Sequence, residues 1–82
     1  MTTKTSSTRR PRHPMPADVR KALVDAELWD AYQERPPYQQ NDYVGWITRA
    51  RKQETRERRL AQMLEELEAG DRYMKMAYRV RR

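Results

Sequence analysis

The sequence predicts an all-α protein: a small bundle of about four helices with a disordered basic N-terminal arm and an extended C-terminal tail. Three stretches repeat apolar residues at positions i, i+3, i+4 and i+7, a spacing that places each set on one side of a helix. Prolines and a late glycine separate these stretches, as they do between helices. The chain therefore divides into the arm (residues 1–14), a helical domain (residues 15–70) and the tail (residues 71–82).

Two short helices are expected at the start of the domain. Pro16 suits the first position of a helix. The apolar face of this helix consists of Val19, Ala22, Leu23 and Ala26. Asp25 can cap a second helix, whose apolar residues are Leu28, Trp29 and Tyr32. Pro36 and Pro37 then stop it, because proline disfavours helical geometry in the residue before it.

Two further helices carry most of the aliphatic pattern. The third is expected to start between Tyr38 and Asp42, and we favour the earlier start because it lengthens the buried face. Its apolar face consists of Tyr43, Trp46, Ile47 and Ala50. The face of the fourth consists of Leu60, Met63, Leu64 and Leu67. We expect these faces to pack together, either in two helices that separate near Lys52 and Gln53 or in one bent helix, with Gly70 as a left-handed end.

The tail changes period. Apolar and polar residues alternate from Met74 to Val80, which is the spacing of an extended strand with one apolar edge. No partner strand is expected within the chain, so we expect the tail to lie extended across the bundle and cover its open side. Two alternatives stay open: addition to a strand of a partner, or docking of Tyr73 and Tyr78 on nucleic acid.

Net charge indicates an anionic partner, and this charge is concentrated at the two ends. The 82 residues have a formal charge of +6 and a pI of about 10.1. Residues 1–13 and residues 71–82 carry +4 each, so the segment between them carries −2 of that total. A nearly neutral bundle with basic ends is predicted.

Several kinds of site are excluded by composition. The chain has no cysteine, which removes disulfides, thiol catalysis and cysteine-bound zinc. The single histidine, His13, is expected to be a solvated loop residue, so neither a metal site nor a cofactor is predicted. Gly45 is expected on the outward side of the third helix. No apolar run approaches the length of about 20 residues that a membrane span needs, and a cytoplasmic location is expected.

The junction between the third and fourth helices is strongly basic, and it supplies the candidate binding residues. These residues are Arg49, Arg51, Lys52, Arg58 and Arg59. Trp46, Thr55 and Arg56 are interpreted as structural. Arg56 lies one turn before the apolar stripe, so its guanidinium is expected to cap carbonyls of the preceding helix or to pair with a carboxylate. The alternative is an anion site in which Lys52, Arg56 and Arg59 converge at the helix start.

Part of the sequence resembles a known family. The resemblance covers residues 15–70, and its most specific part is residues 46–59. It is carried by Met15 to Val19, Leu28, Trp29, Tyr32, Pro36, Pro37, Tyr43, Trp46, Ile47, Ala50 to Lys52, Glu54 to Arg56, Arg58 and Arg59. These residues are similar to those of the YdeI/OmpD-associated, or bacteriocin-protection, family. The resemblance implies a small all-α bacterial domain linked to stress and to antimicrobial-peptide resistance, and it implies no catalytic residues.

We therefore expect a small non-enzymatic helical interaction module, either a monomer or a weak homodimer. The predicted partner is an unidentified macromolecule, and a protein is favoured over nucleic acid. The alternative is a nucleic-acid- or ribosome-associated protein that contacts phosphates through its tails and through residues 49–59. Enzymatic activity is not expected, because no positioned base, nucleophile or metal set can be read from the sequence. Nucleic-acid binding predicts that both tails and the basic junction share one face.

Overall fold

The computed structural model describes residues 13–77. It contains four α-helices, α1 (Ala17–Asp25), α2 (Trp29–Glu34), α3 (Pro37–Thr48) and α4 (Gln53–Ala69). Two short strands follow, β1 (Arg72–Tyr73) and β2 (Met76–Ala77), and they pair antiparallel. The predicted all-α bundle of four helices is confirmed, with a small hairpin added to it. Within the described range no helix is both long and apolar enough to cross a membrane.

The first two helices are short and have no side-chain caps at their N-termini. The prediction that Asp25 caps α2 is wrong, because Asp25 is the last residue of α1 and pairs with Lys21 at 2.9 Å, one turn earlier. Three residues separate the helices, and Glu27 among them has a left-handed φ of 59°. Leu28 stands at the N-cap of α2 instead.

The third helix starts early and ends before the basic junction. Pro37 is its first residue, so the expectation of an early start is confirmed. The helix ends at Thr48 with Arg49 as its C-cap, and Lys52 is extended with φ −97° and ψ 144°. The question of one bent helix is therefore settled in favour of two helices. Gly70 ends α4 with a φ of 86°, as its left-handed role predicts.

The core forms where α1, α2 and α3 meet α4. Its buried members are Val19, Leu23, Tyr32, Tyr43, Val44, Ile47, Met63 and Leu67. The predicted faces of α3 and α4 supply half of this set, while Trp46, Leu60 and Leu64 pack at its margin as partly buried residues. Removal of apolar surface from water stabilises this small core by about 25 cal/mol per Å² buried, and this burial holds the helices together.

The prediction of a single extended tail without a partner strand is wrong for the described part of the tail. The chain reverses at Met74 and Lys75, and β2 pairs with β1, with Tyr73 opposite Met76. Both turn residues have left-handed φ values, 53° and 67°, as a two-residue hairpin turn requires. The sequence gives no hint of this turn, since glycine and asparagine are absent from it. The rest of the predicted strand, including Tyr78 and Val80, lies outside the described residues, as does most of the predicted N-terminal arm.

The prediction that Gly45 faces outward is also wrong. Gly45 is buried, because the segment before α1 crosses α3 at this point. The backbone N–H of His13 donates to Asn41 Oδ1 at 2.7 Å, and the His13 ring lies over Gly45. A Cβ at Gly45 would sit 2.7 Å from His13 Nε2, so glycine allows this crossing. His13 is accordingly half-buried rather than fully solvated.

Candidate functional site

A buried carboxylate holds the hairpin against the bundle. Glu66, in the last turn of α4, is only 5% exposed. One carboxylate oxygen accepts the N–H of Met74 and the other that of Lys75, each at 2.7 Å. The hydroxyl of Tyr43 and the amide of Gln62 also donate to this carboxylate. The carboxylate thus satisfies both N–H groups of the hairpin turn, which offsets the cost of two left-handed residues without glycine.

The same hydrogen bonds control the ionisation of Glu66. Burial by itself raises the pKa of the Glu66 carboxyl, but the hydrogen bonds that the carboxylate accepts outweigh burial and hold the pKa below its ordinary value. Burial also raises the pKa of the Tyr43 hydroxyl, and its bond to the carboxylate raises it further. Glu66 is therefore ionised, and Tyr43 is a neutral donor.

Arg35, the C-cap residue that follows α2, completes this buried polar cluster. Arg35 is only 6% exposed, and its Nη2 donates to the backbone carbonyl of Glu66 at 3.1 Å. Nη1 donates to Oε1 of Gln39 at 3.0 Å, and Gln39 in turn donates to the Tyr38 hydroxyl. Residues from α2, α3 and α4 are thereby fixed to one another around the point where the hairpin docks.

Tyr73 of β1 packs the hairpin against α3. The Tyr73 hydroxyl donates to Oδ2 of Asp42 at 2.6 Å. Its ring packs edge-to-face on Tyr43, with centroids 5.5 Å apart, and on Tyr38, at 6.0 Å. Met74 is partly buried against the core beside it. Tyr73 and Glu66 together fix the distance between the hairpin and α3.

A cleft lies between α3 and the hairpin. Its volume is about 350 Å³. It is lined by His13, Asn41, Asp42, Trp46, Arg49, Tyr73, Met74 and Met76. One side thus offers charged and amide groups of α3, and the other offers thioether side chains of the hairpin. We call this the α3–hairpin cleft. Its chemistry suits a ligand that combines an apolar group with a charged or hydrogen-bonding group.

The predicted binding residues occupy different places. Arg49 lines the α3–hairpin cleft. Arg59 lies over the Trp46 ring, 5.3 Å from its centroid, and donates to the Trp46 carbonyl at 2.7 Å. Arg51, Lys52 and Arg58 are exposed, and none of the three lines this cleft. The structure therefore brings only Arg49 into the cleft and uses Arg59 to satisfy the end of α3.

Of the three residues interpreted as structural, Arg56 links two helices directly. Arg56 joins α4 to α1: its Nε and Nη2 donate to the two carboxylate oxygens of Asp18, each at 3.0 Å. The bond from Arg56 lowers the pKa of the Asp18 carboxyl, despite partial burial. Trp46 and Thr55 are half-buried. The other contact expected of Arg56 is with carbonyls of the preceding helix. Arg59 makes this contact instead, with the carbonyl of Trp46 near the end of α3.

Sequence reasoning missed the polar groups that position the cleft. Glu66 follows Met63 by three residues and precedes Leu67 by one, so it borders the apolar stripe, and this position was the available signal. Arg35 and Gln39 had no comparable signal, because they flank two prolines outside any clear repeat. Within residues 13–77 no group of three or more acidic, histidine or cysteine side chains is arranged to hold a metal ion.

Comparison with known proteins gives a family. The family model described as "Bacteriocin-protection, YdeI or OmpD-Associated" matches residues 12–70. Comparisons with curated proteins and with solved structures find no match. The matched range contains all four helices and the α3 side of the cleft, whereas the hairpin lies beyond it. Since this range exceeds half of the chain, the chain belongs to the bacteriocin-protection, YdeI or OmpD-associated family.

Proposed function

We propose that the chain is a small non-enzymatic module that binds another protein through the α3–hairpin cleft and so contributes to bacteriocin protection. The cleft is the observation that carries this proposal. It is large enough for one or two side chains of a partner, and it places Arg49 beside Trp46 and two methionines. Methionine-lined surfaces adapt to different apolar side chains, which suits protein recognition.

The non-enzymatic part of the proposal is supported by the roles of the titratable groups. The Glu66 carboxylate is occupied by four donors, two of them backbone N–H groups, so it is not available as a general base. Asp18 is engaged by Arg56. The raised pKa of Tyr43 opposes its use as a nucleophile. These groups stabilise the fold.

The proposal also includes the setting of the protein. We propose a cytoplasmic protein that acts without a cofactor, as a monomer or a weak homodimer. Its partner would be recognised through side chains rather than through a large flat interface, because the cleft is concave and small.

Nucleic-acid binding is the second candidate function. The exposed side chains of Arg51, Lys52 and Arg58 favour it, since they form a basic surface around the start of α4. A test is titration of labelled RNA and duplex DNA at about 50 and 200 mM salt, because phosphate contacts weaken steeply with salt. Tight binding at the lower salt that is lost when Arg51 and Arg58 are changed to glutamine would support this candidate. No binding at the lower salt would remove it.

Protection of a bacteriocin-sensitive host tests the leading proposal. The host would express the wild-type chain, an Arg49→Glu variant or an Arg58→Glu variant, and survival would be measured against bacteriocin dose. Arg58 is a matched control, because it is an exposed arginine outside the cleft. We expect protection by the wild type and by Arg58→Glu, and loss of protection with Arg49→Glu. Absence of protection by the wild type, or full protection by Arg49→Glu at equal protein level, would contradict the proposal.

A further inference from the structure

We infer that the α3–hairpin cleft takes an acidic segment of the partner protein, with a carboxylate against Arg49 and an apolar side chain between Trp46 and the methionines. This inference rests on the proposed function, because it names the partner chemistry for the same cleft. The cleft has a cationic side and an apolar side, and the chain as a whole carries a formal charge of +6.

The cationic side is built around Gly45. The position that a Cβ of Gly45 would occupy lies 3.3 Å from Nη1 of Arg49 and 2.7 Å from Nε2 of His13. The side chains of Arg49 and His13 thus both lie over Gly45, where α3 carries no side chain. Within residues 13–77 the Arg49 guanidinium forms no ion pair with a carboxylate. The guanidinium is therefore available to a carboxylate of a partner, to which it can donate two parallel hydrogen bonds.

The apolar side is formed by Trp46 and the hairpin. Trp46 is half-buried, and Arg59 covers one face of its ring. Met74 is partly buried, whereas Met76 is 57% exposed, which makes it one of the large apolar side chains that face solvent. An apolar side chain of a partner would cover Met76 and thereby remove apolar surface from water.

The net charge of the chain also favours an acidic partner. The 82 residues carry a formal charge of +6. A positive net charge attracts an acidic partner and increases its association rate. The charge therefore complements a carboxylate-rich segment.

Two features favour a protein segment over a nucleic-acid strand in this cleft. Base stacking needs free aromatic faces, but one face of Trp46 is covered by Arg59, and the Tyr73 ring packs on two other tyrosines. The cleft volume of about 350 Å³ also suits side chains rather than a run of nucleotides.

Fluorescence anisotropy with defined probes tests this inference. The first probe is a dye-labelled peptide of about ten residues that alternates glutamate with leucine or phenylalanine. Two matched peptides replace either every glutamate by glutamine or every apolar residue by serine, and an oligothymidylate of equal charge is the fourth probe. The proteins are the full-length wild type, Arg49→Gln and the control Arg58→Gln, each checked for an unchanged thermal unfolding midpoint.

We expect the acidic apolar peptide to bind the wild type, and Arg49→Gln to weaken that binding by about tenfold or more, as loss of a charged hydrogen bond does. Arg58→Gln should stay within about twofold of the wild type. Both matched peptides should bind more weakly than the first. Equal binding of the glutamine peptide, equal effects of the two arginine changes, or tighter binding of the oligothymidylate would overturn the inference.

The outcome is separable from that of the protection experiment. Protection that depends on Arg49 without any preference for the acidic apolar peptide would overturn the acidic-segment inference and leave the proposed function standing. Binding of the peptide as expected, in a chain that gives no protection, would support the inference about the cleft and contradict the protective role.

Discussion

Glu66 is the residue on which the position of the hairpin depends. It is buried at the end of α4, and its two carboxylate oxygens accept the N–H groups of Met74 and Lys75. Without these acceptors, the two left-handed turn residues would lose the bonds that offset their conformational cost. Together with the docking of Tyr73 on α3, this side chain of α4 therefore sets one wall of the α3–hairpin cleft.

Replacing Glu66 by glutamine tests this role. The glutamine side chain has one oxygen, so its amide group would face one of the two backbone donors. We predict that Glu66→Gln lowers the free energy of unfolding by about 1–3 kcal/mol, the cost of an unsatisfied buried polar group. Urea unfolding followed by circular dichroism measures the change, and Glu68→Gln, at an exposed position two residues later, is the control. Equal stability of the two variants would contradict the role.

The pH dependence of stability follows from the same contacts. The folded state depresses the pKa of Glu66 below its ordinary value of 4.5, and that of Asp18 below 3.8. Depressed carboxyl pKa values stabilise the folded state above the unfolded pKa, and this stabilisation is lost as the pH falls through the folded pKa. We predict that stability decreases below about pH 4.5 and that Glu66→Gln makes this decrease shallower. An identical pH profile for the variant would contradict the assignment.

At the scale of elements, the hairpin turn carries conformational strain. Lys75 is exposed and has a φ of 67°, where glycine is strongly favoured. We predict that Lys75→Gly raises the free energy of unfolding by about 0.5–1 kcal/mol, because it removes the Cβ clash in the left-handed conformation. Lys75→Ala, which removes the same charge but keeps a Cβ, is the control and should give no gain. Thermal unfolding of both variants measures the difference.

One ion pair links α1 to α4 beside the apolar core. Arg56 bonds Asp18 through two nitrogens, but the Asp18 side chain is 51% exposed, so solvent screens the pair. We predict a coupling free energy of about 0.5–1 kcal/mol in a double-mutant cycle with Arg56→Ala and Asp18→Asn. Unchanged stability of Arg56→Ala would show that Arg56 has no structural role.

At the scale of the whole molecule, apolar spacing was sufficient to predict the bundle. The faces of α3 and α4 contain Tyr43, Ile47, Met63 and Leu67, and the structure buries all four. Gly70 predicted the end of α4, and the proline pair predicted the boundary between α2 and α3, because the backbone preferences of glycine and proline act locally. The family resemblance was confirmed by a match over residues 12–70.

The cleft could not be predicted, because its walls depend on contacts between distant parts of the chain. Glu66 borders the apolar stripe of α4, but its bonds to the hairpin join residues that the sequence pattern does not connect. The turn at Met74 and Lys75 lacks the usual turn residues, so the alternating pattern indicated a continuous strand. Gly45 was placed outward because nothing in the sequence shows that His13 crosses α3.

The most direct test is a map of backbone amide shifts by NMR during titration with the acidic apolar peptide. We expect the largest changes at Gly45, Trp46, Arg49 and Met76, and little change at Arg51 and Arg58. Arg49→Gln should greatly reduce these changes at a peptide concentration that half-saturates the wild type. Changes centred on Arg51, Lys52 and Arg58, with the cleft residues unaffected, would contradict the claim that the cleft is the binding site.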